Sequence, residues 1–192
     1  LRKTVYLSNA FSNLIYIMKN KIKLFLILIL LTISNVVLAT SWDVGNKLYQ
    51  EKKYERAFPY LKKAALQGNS KALAHLGFMY LEGKGVHQDF GIAFNYYIES
   101  AKQGDERGQF GLGYMYNNGL FVKQDYAKAK TWYEYSANQG YPFAMNNLGL
   151  LYKNESSDFK DEKKAFDWMK KAAANNDKVA QYNLATFYEK GT

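Results

Sequence analysis

The feature that most constrains this chain of 192 residues is a repeat of 36 residues that runs in one frame through most of its length. In each unit a leucine is followed at once by glycine or alanine and, four residues on, by tyrosine. The leucines are Leu76, Leu112, Leu148 and Leu184, and the tyrosines are Tyr80, Tyr116, Tyr152 and Tyr188. A unit of this length cannot bury a core alone, so neighbouring units must stack on one another.

Each full unit predicts two helices joined by a turn. The first helices are predicted over 71–81, 106–117, 142–153 and 178–189. The second helices begin near Asp89, Asp125 and Asp161, which suit the N-cap position, and end near Gly104 and Gly140, which suit a C-terminal cap. The predicted fold class is therefore all-α, an α-solenoid of helix-turn-helix repeats with a 36-residue period.

One position of the first helix holds a small residue in every full unit, namely Gly77, Gly113, Gly149 and Ala185. Glycine inside a helix costs about 1 kcal/mol relative to alanine. Its recurrence predicts that a neighbouring helix packs too closely for a larger side chain.

The motif L-G-x-x-Y, followed by G-x-G-V, an aspartate, an alanine and an aromatic-tyrosine pair, resembles the Sel1-like repeat (SLR) family, relatives of the tetratricopeptide repeats. The match is best over 74–104 and next best over 112–140, and the resemblance covers 76–191. A leading unit, with helices predicted over 42–50 and 54–66, is more similar to a plain tetratricopeptide repeat. Its loop between the helices is about four residues shorter than in the later units, as the spacing of the repeat columns indicates.

The resemblance implies a concave groove lined by the first helices, at positions 71, 74, 78 and 81 and their counterparts in later units. Columns that keep one residue type serve the core, whereas columns that vary are free to serve a ligand. The candidates for binding a partner are Lys71, Phe78, Arg107, Phe110, Tyr114, Phe143, Asn146, Leu150 and Tyr182. Aromatic residues and arginine are the usual anchors of protein interfaces. The alternative is that the aromatic side chains half-bury against neighbouring repeats and the charged ones are solvated.

The N-terminal segment predicts export. Met18 opens a short basic stretch, an apolar run follows over 24–31, and small residues end at Ala39. This is the layout of a secretory signal peptide over 18–39, cleaved between Ala39 and Thr40. The protein would then be periplasmic or secreted, and it would contact the membrane only transiently.

Two other interpretations of this segment stay open, an uncleaved inner-membrane anchor over 22–39 and a buried core helix. A membrane span needs about 20 mostly apolar residues, and polar side chains interrupt the run after Leu31. Residues 1–17 precede the first methionine of the signal, so we interpret them as an upstream artefact of the assigned start. The repeat array then occupies 40–192.

Two departures from the repeat lead to further predictions, one about a turn and one about the end of the array. Glu155-Ser156-Ser157 replaces the loop glycines of the fourth unit, counted from the leading one, so we expect that turn to differ. The chain stops at Thr192, just after a first helix, which leaves Leu184, Phe187 and Tyr188 exposed without a partner helix. We therefore expect the array to be truncated at its C-terminus.

Composition excludes several classes of function. The formal charge is +9, but five of the 26 basic side chains lie in residues 1–23, and the charge falls to +4 without them, so nucleic acid is not an expected partner. The absence of cysteine excludes disulfides, thiolate zinc sites and cysteine nucleophiles. His75 and His87 do not supply the three or four converging ligands of a metal site. No cofactor is expected.

The sequence therefore predicts a non-enzymatic scaffold that binds a protein or peptide partner through its groove. The resemblance adds roles of exported SLR proteins in envelope assembly, signalling or contact with a host. The alternative is a hydrolase of the cell wall or of β-lactams, an activity linked to cysteine-rich SLR relatives. This chain lacks the cysteines of those relatives.

Overall fold

The computed structural model describes residues 18–26, 41–154, 157–175 and 178–189. The chain divides into two compact units, Leu1–Ser41 and Trp42–Thr192. Within the first unit, residues 18–26 form helix α1. The predicted cleavage site at Ala39 and Thr40 lies outside the described residues, as does the segment 1–17. Among the residues that are described, no helix has both the length and the apolar content that a membrane span requires.

The second unit is built of helices in antiparallel pairs, which confirms the predicted all-α solenoid. The helices are α2 (41–50), α3 (Tyr54–Leu66), α4 (Ser70–Glu82), α5 (Phe90–Lys102), α6 (Glu106–Asn118), α7 (Tyr126–Asn138), α8 (Pro142–Lys153), α9 (Glu162–Ala174) and α10 (Lys178–Glu189). The predicted bounds agree with these to within one residue. The loop between α2 and α3 is four residues shorter than the loop between α4 and α5, as the spacing predicted.

Side-chain caps fix where the second helices begin. The carboxylates of Asp89, Asp125 and Asp161 each accept a hydrogen bond from the backbone N–H three residues on, at 2.8, 2.9 and 2.9 Å. These bonds satisfy donors that the first helical turn leaves free. Gly104 and Gly140 follow the helix ends with φ of 81° and 90°, a backbone conformation that glycine adopts at no cost. The predicted caps are confirmed.

The turn after the first helix differs in the fourth unit counted from the leading one, as predicted. Helices α4 and α6 end on the left-handed residues Gly83 and Gly119. Helix α8 ends instead on Asn154 in an extended conformation, and the buried Ser157 hydroxyl contacts the carbonyl oxygen of Leu151 at 2.9 Å. In this unit a serine hydroxyl thus donates a hydrogen bond to a carbonyl oxygen near the helix end. Glu155 and Ser156 lie outside the described residues.

The small-residue column of the first helix faces a bulky side chain of the second helix in the same unit. A Cβ atom added at Gly113 would lie 2.5 Å from the ring of Tyr133, and one added at Gly149 would lie 2.7 Å from Met169 Cγ. The equivalent pair in the leading unit is Gly45 and Leu61, at 3.1 Å. The predicted close approach of the helices is confirmed.

First helices also lie against one another, since α4 contacts α6 as well as its own partner α5. The row of first helices is therefore the inner side of the solenoid, and the second helices form the outer side.

The expectation that Phe187 is exposed was wrong. Phe187 is 4% exposed because it packs against Phe166 of α9, with 6.1 Å between ring centroids. Leu184 is half-buried, and the side chain of Tyr188 is not among those described. Helix α10, the first helix of the last unit, thus buries part of its apolar surface against α9.

We predict that Gly113→Ala destabilises the array by about 2 kcal/mol, although alanine is the better helix former. The added methyl group meets the ring of Tyr133, which is 1% exposed and has little freedom to move. Urea denaturation followed by circular dichroism measures the change in the free energy of unfolding.

The control is Tyr133→Leu, which places at this position the residue that Leu61 provides in the leading unit. In that background Gly113→Ala should cost less than half as much. An equal cost in both backgrounds would show that the helix contact is not its cause.

Candidate functional site

The first helices enclose a cavity of about 330 Å³ on the inner side of the array. Its lining residues are Tyr49, Gln50, Ala74, His75, Phe78, Tyr97, Arg107, Phe110, Tyr141 and Phe143. They come from α2, α4 and α6 and the start of α8, while Tyr97 reaches the cavity from second helix α5. We call this space the Arg107 cavity.

The cavity lies beside a small residue in a column that carries aromatic rings in the two adjacent units. Ala74 occupies a column that holds Phe110 in the next unit and, allowing for the shorter loop, Trp42 in the leading unit. Ala74 is 2% exposed, so neighbouring side chains cover most of its methyl group and it contributes little surface to the wall.

The walls of the cavity are aromatic. Tyr49 lies edge-on to Phe78, with 6.1 Å between ring centroids. On the opposite wall Phe110 lies edge-on to Tyr141 at 5.4 Å, and Tyr141 lies 5.4 Å from Phe143. Such rings offer faces and edges to a further aromatic ring, an arrangement worth about 0.5–1.5 kcal/mol per pair beyond the buried area.

Tyr97 forms part of the lining because two glycines let it pass between helices. A Cβ atom at Gly77 of α4 would lie 2.7 Å from the ring of Tyr97, and one at Gly111 of α6 would lie 2.5 Å from it. Burial raises the pKa of Tyr97 well above its ordinary value. The hydroxyl is therefore neutral at physiological pH.

His75 is a neutral member of the wall. Its ring stacks on Tyr49 at 4.0 Å with an interplanar angle of 2°, and its Nε2 lies 3.1 Å from Asn46 Oδ1. Because an amide oxygen only accepts, Nε2 carries the proton in this contact. Burial, with a further contribution from the charge of Arg107, lowers the pKa of His75 to about 4.

Arg107 is the one cation among the described residues that line the cavity. Its Nη1 lies 2.9 Å from Glu106 Oε1 and 4.0 Å from Asp105 Oδ1. This nitrogen is buried and, within the described part of the chain, donates no hydrogen bond. Nη1 is nevertheless ion-paired with Glu106, and the two carboxylates beside it offset much of the guanidinium charge.

The structure brings together four of the predicted binding residues. Phe78, Arg107, Phe110 and Phe143 all line the Arg107 cavity. Tyr114 lies just outside the lining and is half-buried, with its ring centroid 6.4 Å from that of Phe110.

The other predicted residues lie elsewhere. Lys71 is exposed at the start of α4 and does not line the cavity. Leu150 and Tyr182 are 41% and 71% exposed on α8 and α10. Asn146 is buried, and its Oδ1 accepts a hydrogen bond from Asn183 Nδ2 at 2.9 Å. Asn146 therefore ties α8 to α10 rather than facing the cavity.

Of the six other lining residues, Ala74 occupies a predicted groove position without having been a binding candidate, and five lie outside those positions for three reasons. Tyr49 and Gln50 belong to the leading unit, whose shorter loop takes it out of the 36-residue frame. His75 lies in a column assigned to neither the groove nor the repeat core, and Tyr97 was assigned to the repeat motif of the second helix and not to the groove. Tyr141 could have been noticed in the sequence, because its column holds the helix-capping residues Asn69 and Asp105 in the two preceding units. Tyr141 makes no side-chain cap.

The described residues contain no group of three histidines or acidic side chains that could hold a metal ion.

The helix-pair solenoid defines this chain as a helical repeat protein, and its first helices carry an aromatic cavity. The Sel1 repeat family model matches residues 45–69, 70–105, 107–141, 142–177 and 178–192. The chain belongs to the Sel1 repeat family, whose members are generally non-catalytic scaffolds for protein interactions. A search of curated proteins gave no significant match.

Solved structures show the same fold. A Sel1 repeat protein from Oxalobacter formigenes is 32% identical, with 77% of this chain and 61% of that chain covered and a TM-score of 0.64. A protective antigen of uropathogenic Escherichia coli with an SLR fold is 37% identical, with 72% and 30% covered and a TM-score of 0.63. The cysteine rich protein B of Helicobacter pylori is 25% identical, with 65% and 94% covered and a TM-score of 0.51. This chain thus matches less than two thirds of the length of the first two.

We predict that stability falls between pH 7 and pH 4.5, in part because of His75. Its pKa is about 4 in the folded chain and about 6.5 when unfolded. The unfolded chain therefore binds an additional proton in this interval, and the contribution of His75 to stability, complete above pH 6.5, is lost as the pH falls. Urea denaturation at both pH values should show a loss of about 2 kcal/mol from this group.

The control is His75→Phe, which keeps a ring in the wall but does not titrate. Its free energy of unfolding should fall by about 2 kcal/mol less over the same interval. If the free energy of unfolding fell equally with pH in the two proteins, His75 would not be held neutral in the folded chain.

Proposed function

We propose that the chain is an exported Sel1 repeat scaffold that binds a protein or peptide partner on the inner side of its first helices. The observation that carries this proposal is the Arg107 cavity, where aromatic side chains and an arginine converge. These residue types dominate the binding energy of protein interfaces. Phe143 is 52% exposed at the cavity and is available to a partner.

Apolar side chains at the groove columns of later units are also exposed. Leu150 on α8 and Val179 and Tyr182 on α10 are 41%, 55% and 71% exposed. Exposed apolar side chains of this kind support contact with another protein. We propose that these side chains extend the contact made at the cavity.

The cavity lacks the groups that the alternative hydrolase function needs. Among the described residues that line it, His75 is the one general-base candidate, and its pKa of about 4 makes it a weak base. No serine, aspartate or glutamate is among these lining residues. We therefore propose a non-catalytic role.

Export gives the scaffold its place of action, in the periplasm or outside the cell. The basic and apolar stretches of 18–39 support this proposal. The Escherichia coli relative is described as a protective antigen, which favours a role at or beyond the envelope, in envelope assembly, signalling or contact with a host.

We expect a partner to crosslink at the inner side. A photoreactive benzoylphenylalanine replaces Phe143 in one protein and Tyr135 of α7 in the matched control, since the two positions are 52% and 55% exposed. Illumination in living cells, followed by mass spectrometry, should give a discrete adduct at position 143 that is absent at position 135.

Arg107→Ala together with Tyr114→Ala should abolish that adduct, provided circular dichroism shows an intact helical fold. Equal adducts at the two positions, or an adduct that survives the double substitution, would contradict binding on the inner side.

We predict that the exported protein begins at Thr40. Mass spectrometry of the chain recovered from periplasmic and culture fractions determines its N-terminal residue. A chain that retains 22–39 and sediments with the inner membrane would support the anchor instead and contradict cleavage.

A further inference from the structure

We propose that the leading unit of the array carries a second interaction surface, which docks on a membrane that contains anionic phospholipid. This surface lies on helices α2 and α3 and the turn between them, and we call it the basic face. The proposal goes beyond the proposed function, which gives the exported protein no lasting contact with a membrane. The basic face consists of six exposed residues that do not line the Arg107 cavity, namely Lys47, Lys53, Arg56, Tyr60, Lys63 and Leu66.

The leading unit carries most of the net charge of the array. Residues 40–68 contain six basic and three acidic side chains. The units that follow, 69–104, 105–140 and 141–177, are each neutral, with three, four and six side chains of either sign. Three of the four net positive charges of the array therefore lie at its leading end. Such a concentration of charge attracts an anionic surface to that end.

Lys47 is exposed at a position that later units bury. Allowing for the shorter loop, its column in the first helix holds Met79, Met115 and Leu151, which are 0%, 0% and 3% exposed. Met79 belongs to one buried cluster with Leu61 of the preceding second helix α3. A lysine in this column does not suit an apolar contact between helices. It places a positive charge on the end of the array instead.

Basic and apolar side chains of the leading unit meet around a hollow of about 590 Å³ between α2 and α3. An anionic phospholipid offers a charged headgroup and apolar chains together, so a mixed lining of this kind suits it. The lining includes Val44, Leu48 and Tyr60 on the apolar side and Lys47, Lys53 and Arg56 of the basic face.

The hollow is positive in spite of Glu51, the one acidic side chain in its described lining. Lys53 Nζ lies 2.7 Å from Glu51 Oε2. This hydrogen bond from Lys53 lowers the pKa of Glu51, and the charges of Lys47 and Arg56 lower it further. Three cations therefore act on one carboxylate, and the positive excess remains for an anionic headgroup.

Two exposed apolar side chains of α3 can enter the membrane interface. Tyr60 is 42% exposed, and Leu66, at 81%, has the largest exposed fraction among the large apolar side chains that are described. Lys63 lies three residues from each of them, and residues at this spacing are neighbours on a helix surface. Tyrosine and leucine among basic side chains are typical of a helix surface that lies at the level of the lipid headgroups.

The test measures how residues 40–192 bind to lipid vesicles in a co-sedimentation assay. Trp42–Thr192 form a compact unit, and the apolar run of 24–31 is left out because it would enter a bilayer by itself. One set of vesicles is phosphatidylcholine alone, and the other is a mixture of phosphatidylcholine and phosphatidylglycerol. Binding is measured at low and high ionic strength, since salt screens exposed charges.

We expect binding to the mixed vesicles at low salt, less binding at high salt, and none to phosphatidylcholine alone. Each basic side chain near an anionic membrane contributes about fivefold to the partition coefficient. The triple variant Lys47→Gln, Arg56→Gln and Lys63→Gln should therefore lower that coefficient at least tenfold. Leu66→Ser should lower it severalfold and leave its dependence on salt unchanged.

The matched control removes three exposed cations from units that are neutral as a whole, with the substitutions Lys123→Gln, Lys163→Gln and Lys170→Gln. Both triple variants have the same net charge, so only the position of the lost charges differs. The control should bind the mixed vesicles as the unsubstituted protein does. Circular dichroism checks that every variant keeps its helical fold.

Equal loss of binding in the two triple variants would overturn the basic face, because total charge would then explain the binding. Equal binding to the two sets of vesicles, or binding to neither, would also overturn the proposal. Release from the mixed vesicles by glycerol phosphate would identify a free phosphate as the ligand. Release by decaglutamate, at a charge concentration equal to that of the lipid, would identify an acidic protein. Either release would contradict docking on a membrane.

Discussion

The array depends on one contact, the bare backbone of a first-helix glycine against a bulky side chain of the second helix. Gly113 against Tyr133 shows the geometry, with a hypothetical Cβ only 2.5 Å from the ring. Without a side chain on the glycine, the two helices approach until the bulky side chain fills the space between them. The four helix pairs that contain Gly45, Gly77, Gly113 and Gly149 repeat this contact, so the separation of the two helices is set unit by unit.

The Arg107 cavity, the binding surface that we propose, lies where the repeat is broken and not where it is kept. Ala74, which lines it, stands where the two adjacent units have large aromatic rings. Tyr141 occupies the column in which the two preceding units have a helix-capping side chain. Its ring lines the cavity, and helix α8 begins without a side-chain cap. Arg107 brings a guanidinium to the wall, where its Nη1 lies 2.9 Å from Glu106 Oε1. Natural proteins depart from local rules mainly where function requires it.

The fold was predictable because its determinants are local and recur. The 36-residue frame, the aspartate caps and the recurring glycine were enough to predict the helices to within one residue. The cavity was only partly predictable. Phe78 and Arg107 lie at groove positions that the family resemblance implied, whereas Tyr49 lies in the leading unit, whose shorter loop shifts it out of the 36-residue frame. Asn146 occupies a groove position, yet it accepts a hydrogen bond from Asn183 and is buried. Its burial depends on the neighbouring helix α10, and the residue type at one repeat position does not indicate such a contact.

Arginine NMR tests the central claim most directly, that the partner binds at the Arg107 cavity. Residues 40–192 contain two arginines, Arg107 in the cavity and Arg56 in the outer helix α3. Their Nε–H signals can be followed separately in ¹⁵N-labelled protein, with Arg107→Gln for assignment. On addition of the crosslinked partner in purified form, the Arg107 signal should shift and exchange more slowly with water while the Arg56 signal stays unchanged. A saturated complex in which the Arg107 signal does not move would contradict the account.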